Sequence, residues 1–302
     1  MLQYDRHNWV RHLFTLKGSV LPIVMPRILV FAGFSVPVVA AHKFGWAPTI
    51  PPTIHAVLGT VLGLMLAFRT NSAYDRWWEG RRAWGTITNR TRDLARQGTT
   101  FFEARDLVVR NAKLLAAFAH AAKRQLWRER DVPELATLLG ELEARAMMQS
   151  PGPPQRLLLA LGEQYQATKK NGQMSEYEYQ LMDRNLTELH DQLGVCQRIQ
   201  KTPIPFAYVV HLKRFLLVYN LTLPFALVAD LGYGTPLIMV AIGYAMFGVE
   251  EIGVRIEDPF LPSPNDIDLE RVARNIERDV MATAGAVAAV PESAVPAHLA
   301  PR

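Results

Sequence analysis

The residue types that most often do chemistry are present in this sequence but not assembled. Its eight histidines are scattered, with no H-E-x-x-H pair, no Cys/His cluster, no G-x-S-x-G elbow and no P-loop, so no catalytic residue, cofactor or metal is expected. Cys196 is the single cysteine; it rules out an intramolecular disulfide framework and suits a small buried hydrophobe in a segment facing a reducing compartment. His55, inside a charge-free block, and His211, close to another, stand where an ionisable group is a functional candidate by default. Thr60, Leu64 and Phe68 recur every four residues, so on a helix they share one narrow face. Gly59 and Gly63 lie beside that face and would let a neighbouring helix approach closely.

The elements that must position these residues emerge from the charge pattern. With 20% charged and 49% hydrophobic residues among 302, the average composition would suit one or two soluble domains. The distribution says otherwise. Residues 28–41, 51–68, 215–229 and 231–249 carry no Lys, Arg, Asp or Glu, which makes four charge-free blocks in two pairs. Crossing a bilayer takes about 20 apolar helical residues. The second and fourth blocks, at 18 and 19 residues, stand alone; the first borrows residues 20–26, with Arg27 at an edge from which it can snorkel, and the third borrows residues 207–210 and Leu212. Residues 42–50 and 229–236 join the pairs as short turns.

Arg69, Arg76, Arg81, Arg82, Arg90, Arg92 and Arg96 follow the second block, and Lys201, Lys213 and Arg214 precede the third. This positive-inside bias places both termini and the long middle in the cytoplasm. The formal charge of +5 therefore reads as topology; nucleic acid is not an expected partner, because no aromatic-interleaved basic stripe or zinc-finger spacing accompanies it. Asp5, Arg6, His7, Arg11 and Lys17 precede any long apolar run, which is not the form of a cleaved signal peptide.

The middle of the chain reads as long helices. Leu107, Val108, Leu114, Leu115, Phe118 and Ala122 form one stripe at three- and four-residue spacing, and Leu181, Met182, Leu186, Leu189 and Leu193 another. Turn chemistry interrupts at residues 150–154 and 169–172. The tail from Ala282, rich in Ala, Val and Pro, lacks a period and is expected to be disordered or to strap across a neighbouring subunit. The predicted organisation is all-α: residues 1–70 with transmembrane helices 1 and 2, a cytosolic helical region over 71–202, transmembrane helices 3 and 4 over 203–255, and a cytosolic segment over 256–302.

Four stretches resemble the bacterial branch of the bestrophin family: residues 11–27 (RHLFTLKGSVLPIVMPR), 68–85 (FRTNSAYDRWWEGRRAWG), 202–217 (TPIPFAYVVHLKRFLL) and 248–280 (GVEEIGVRIEDPFLPSPNDIDLERVARNIERDV). With the apolar blocks they cover nearly the whole chain to about Val280, in the family's order. The resemblance implies a homopentamer of all-helical subunits in the inner (plasma) membrane, each with four transmembrane helices and a large cytosolic region, around one central pore. It places Thr60, Leu64 and Phe68 at the neck, where rings of apolar side chains narrow the pathway and gate by wetting and drying. Thr60 departs from the bulky apolar residue usual at its position, so the outer end of the neck is expected to be wider or wetter.

By the same resemblance the cytosolic exit constriction falls at Tyr177, flanked by Glu176 and Glu178. Five copies of two acidic residues there would concentrate cations, and the resemblance to bacterial members implies a preference for monovalent cations, so the expected permeant ion is sodium or potassium; an anion channel of the same architecture is the alternative, with a membrane-anchored scaffold or enzyme behind it. His55 either faces an outer vestibule and tunes entry with pH or packs against a polar partner. Residues 257–269 match the place where animal members bind calcium, but only Glu257, Asp258, Asp266 and Asp268 remain, too few oxygens for such a site, and no calcium requirement is expected. Arg69, Arg76, Trp77, Trp78, Arg81 and Arg82 are expected to anchor the inner membrane interface or pair between subunits.

Overall fold

The structure, a computed structural model, describes residues 15–288 except Lys17 and Pro264. The amino-terminal charges from Asp5 to Arg11, Lys17, and the tail beyond Ala288 lie outside the described residues. All regular elements among the described residues are helical. They are α1 (Leu21–Lys43), α2 (Pro52–Phe101), α3 (Arg105–Leu126), α4 (Glu134–Leu139), α5 (Glu141–Met148), α6 (Pro153–Lys170), α7 (Glu176–Lys201), α8 (Phe206–Leu231), α9 (Thr235–Glu257) and α10 (Leu269–Ala288).

Helix boundaries follow local chemistry. Proline occupies the first turn of α1, α6 and α9, where its missing N–H costs nothing and its fixed φ suits the helix. From Thr53 to Phe101 there is no proline, and α2 runs unbroken for 50 residues, about 75 Å at the α-helical rise. Gly45 (φ +74°) turns the chain after α1 and Gly232 (φ +49°) after α8, conformations that L-residues with a Cβ rarely adopt.

Among the described residues three stretches are long and apolar enough to cross a membrane, Leu21–Lys43, Pro52–Phe101 and Phe206–Glu257, with 18-residue windows of mean hydropathy 2.0, 1.4 and 1.7. The third contains both α8 and α9, joined by the 3₁₀ turn Gly232–Gly234. Arg27 does not stand at the edge of its helix as expected. It lies inside α1, half-exposed, and donates to Glu251 at 3.2 Å.

The described residues form two compact units, one within 15–79, 202–259 and 263–266, the other within 80–201, 260–262 and 267–288. In the first, Val24, Ile28 and Ala32 of α1, Leu62 and Leu66 of α2, Leu212, Leu216, Tyr219 and Leu223 of α8, and Met239 and Phe247 of α9 make one apolar core. In the second, α3 is buried on almost every side: Leu114, Leu115, Phe118 and Ala122 are inaccessible, as the periodicity predicts. Its single buried amide, Asn111, is satisfied by donating to the Leu94 carbonyl at 3.1 Å and accepting from Tyr165 Oη at 2.8 Å, which removes the penalty of a polar group in a core. Cys196 is buried.

The expectation of a periodless tail from Ala282 is corrected in part. Leu269, Ala273, Ile276, Val280 and Ala284 form one buried stripe on α10, and the helix runs to Ala288. Alanine contributes little to a hydrophobic period, yet packs on a helix face as well as a larger residue would.

Candidate pore-lining helix

The first unit shows α2 with two unlike faces. Leu62, Leu66, Arg69 and Ala73 recur at four, three and four residues and are buried, whereas Leu64 and Phe68 are 56% and 57% exposed. Thr60 is exposed too, and its hydroxyl donates to the Ala56 carbonyl at 2.9 Å. An apolar edge with nothing of its own subunit against it requires lipid or another copy of the chain.

The two glycines beside that edge differ. A Cβ at Gly59 would stand 2.8 Å from Tyr219 Oη, while one at Gly63 would meet nothing within 4 Å. Gly59 therefore admits α8, and Gly63 belongs to the open face. His55 packs rather than facing water: it is 5% exposed, its Nε2 lies 2.9 Å from Thr222 Oγ1 and its ring lies against Tyr219. His211 is exposed, with its ring near Phe215.

Arg69 was expected at a wet interface and is instead 2% exposed. Its Nη1 donates to Glu250 Oε1 at 2.8 Å, and its Nη2 lies 3.7 Å from Glu257 Oε2. Glu257 in turn accepts from the Ile204 N–H at 3.1 Å, and its carbonyl accepts from Arg76 Nε at 3.0 Å. Arg76 also donates to the Thr202 carbonyl, and Tyr208 Oη to that of Met65 at 2.6 Å. Arg27 adds α1 to the group, 3.6 Å from Glu250. One signal for this cluster was on the page: Arg69 falls in register with Leu62, Leu66 and Ala73, and Glu250 and Glu257 stand seven apart on one face of α9.

Trp77 and Trp78, expected at the interface, stack with Tyr74 along α2, with Tyr74 and Trp78 about half exposed. At the other end of the apolar helices, Lys43 Nζ lies 4.6 Å from the Tyr233 ring centre, so the turn after α1 and the turn after α8 meet. Phe44, Trp46 and Tyr233 are exposed there, as amphipathic rings are at a membrane surface.

In the second unit Tyr177 is 71% exposed in the first turn of α7. Its two carboxylate neighbours are occupied. Glu176 pairs with Lys169 at 2.5 Å, and Glu178 accepts from Ser175 N and Oγ at 2.8 and 2.7 Å, capping its own helix. These hydrogen bonds hold both carboxyls below the usual range, so both stay ionised; Lys169 offsets the charge of Glu176, whereas neutral Ser175 leaves that of Glu178 in place. The physical ground for cation preference, two uncompensated acids per subunit, is therefore weakened.

Around the region expected to lack calcium ligands, Glu257 is committed to Arg69 and Ile204 as above. Asp266 is 2% exposed with Oδ1 unpartnered, and burial, reinforced by Asp258, pushes its carboxyl up to about 6. Among the described residues no group of three or more His, Cys, Asp or Glu is placed to hold a metal.

Comparison with known proteins agrees with this architecture. The family model described as bacterial/fungal bestrophin protein matches residues 1–282. A Nostoc protein named voltage-dependent anion channel-forming protein is 37% identical over 281 residues, covering 91% of both chains; the Escherichia coli protein YneE, named in the same way, is 32% identical over 289 residues and 93% of both. The crystal structure of a bacterial bestrophin homologue from Klebsiella pneumoniae superposes with a TM-score of 0.82 at 32% identity, over 87% of this chain and 98% of that one. These relatives are named for anions, which backs the anion alternative better than the expected sodium or potassium preference. With its family model spanning nearly the whole chain and its helices matching a solved homologue, the chain belongs to the bacterial and fungal bestrophin family.

Proposed function

We propose that this chain assembles as a homopentameric channel conducting monovalent anions through an apolar neck formed by Thr60, Leu64 and Phe68 of α2, with Tyr177 at the cytosolic exit. The observation that carries the proposal is the exposed Leu64–Phe68 edge opposite a fully packed face. A ring of such edges excludes ions when dry and passes them when wet, without protein ligands replacing hydration water. The names of the relatives support the anion, and the pairing of Glu176 with Lys169 weakens the argument from acidic residues against it.

The proposed topology has α1, the amino-terminal half of α2, α8 and α9 crossing the inner membrane, with both termini cytoplasmic. The Lys43–Tyr233 contact supports it, because it puts the two short turns at one end, and the arginines and lysines after the second block and before the third favour the cytoplasm for the other. The test is reconstitution of the full chain in a planar bilayer with asymmetric sodium chloride. A reversal potential near that of chloride is expected, with Phe68→Ala enlarging the current; reversal near the sodium potential would overturn the anion assignment, and no current would overturn the channel.

A further inference from the structure

Arginine at position 69 is costly. It occupies a slot of the buried stripe that Leu62, Leu66 and Ala73 fill with apolar side chains, and both it and Glu250 are almost fully removed from water, at 2% and 3% exposed. Buried ion pairs seldom add stability over an apolar pair of the same volume, because desolvation consumes the attraction; their best-attested use is to fix register. At Arg69 the register in question is the rotation of α2. Successive helical residues are about 100° apart, so holding Arg69 against α9 forces Phe68 onto the outward face.

The grip is built for that purpose. Gly253 lies between Glu250 and Glu257 on α9, and a Cβ there would stand 3.7 Å from Arg69 Cγ and Nε, ordinary contact distance, so the Arg69 side chain lies against α9 between the two carboxylates. Seven residues further along α2, Arg76 holds the carbonyl of the same Glu257. Two grips on one residue, two turns apart, resist rotation where one would act as a pivot. Were α2 to turn by one position, Gly63 and Ala67, both exposed, would replace Leu64 and Phe68, and the ring would lose most of its bulk.

We infer that Arg69, held by Glu250 and Glu257, is a positioning residue for the constriction: it keeps Phe68 and Leu64 on the pore axis and so sets how often the neck conducts. The inference rests on the neck reading above.

The test is single-channel recording of the full-length oligomer carrying Arg69→Met with Glu250→Gln, which removes both charges at nearly constant volume. Open probability should rise about tenfold, the size of coupling seen within one ion-pair network, while elution volume and melting temperature stay those of the parent. On a Phe68→Ala background the same pair should change it less than about twofold, because the bulk that Arg69 positions is gone. Unchanged gating in the parent background, or the same change in both, overturns the inference. If the pair does not assemble, Arg69→Lys, which keeps charge but loses the two-pronged reach, takes its place under the same criteria. Should Phe68→Ala itself conduct like the parent, the neck reading has failed and this inference with it, an outcome distinct from the additive one.

Discussion

Two buried cations, Arg69 in the first unit and Lys123 in the second, solve the same problem in different ways. Lys123 is inaccessible on α3, its Nζ 2.8 Å from Glu134 and 2.7 Å from Glu270, and lies over the Trp127 ring. Its carboxylates, however, are 24% and 33% exposed, and each has a second cation: Arg124 on Glu134 at 2.9 Å and Arg274 on Glu270 at 2.5 Å. Glu250 is only 4% exposed and keeps just Arg27, at 3.6 Å. One cluster is a network with water at its margin; the other is a nearly dry clamp, so loss of a partner has a local remedy in the first and little in the second.

Arg69→Ala should show the larger effect, a loss of about 3 kcal/mol, at the lower end for a broken buried pair because Arg27 remains. Thermal unfolding in detergent, or loss of the oligomer on size exclusion, reads it. Lys123→Met should cost about 1–2 kcal/mol, since the freed carboxylates retain Arg124, Arg274 and water. Equal losses for the two would break the distinction between dry clamp and wet network.

Acid titration sharpens it. For Glu134, burial alone would raise the carboxyl, but hydrogen bonds from Lys123 and Arg124 overcome this and hold it at about 2. A depressed folded pKa stabilises above the unfolded value of 4.5 and loses that contribution as pH falls towards 2. Asp266 runs the other way: raised from 3.8 to about 6, it favours the fold below pH 4 and loses that contribution as pH rises through 6. Hence Glu134→Gln should lower the melting temperature at pH 7 and change little near pH 2, whereas Asp266→Asn should raise it at pH 8, for a stabilisation of at most about 3 kcal/mol, and change little near pH 4. Shifts of the same sign for both variants at neutral pH would refute the assignment.

What was legible in the sequence follows the same division. Apolar periodicity placed the core faces of α3 and α7, and the charge-free blocks placed the candidate spans, because both are properties of one helix at a time. Arg69 was misread because a charge after an apolar run looks like the end of burial; its partners sit 181 and 188 residues away on α9, and only tertiary packing brings them in. Lys123 was unreadable for the same reason, being followed by Arg124 like any solvated pair. The helix continuing through Ala282 to Ala288 was missed because alanine adds contact without adding period.

Glu176 carries the smallest expected effect and the sharpest contrast with Arg69, since its pairing with Lys169 neutralises charge at an exposed helix start instead of fixing a buried face. Lys169 and Ser175 are sequence neighbours, yet a list of residue types counts only the two acids. If those acids set the sign of the permeant ion, replacing both with glutamine would move the reversal potential towards that of chloride. If, as the geometry holds, Glu176 is already offset by Lys169, removing the two together, Glu176→Gln with Lys169→Gln, should leave the reversal potential in asymmetric sodium chloride unchanged. Lys169→Gln is then the more revealing variant: freeing the Glu176 carboxylate restores an uncompensated negative charge in each subunit, and anion conductance should fall at low ionic strength and recover at high, where screening shortens the reach of the charge.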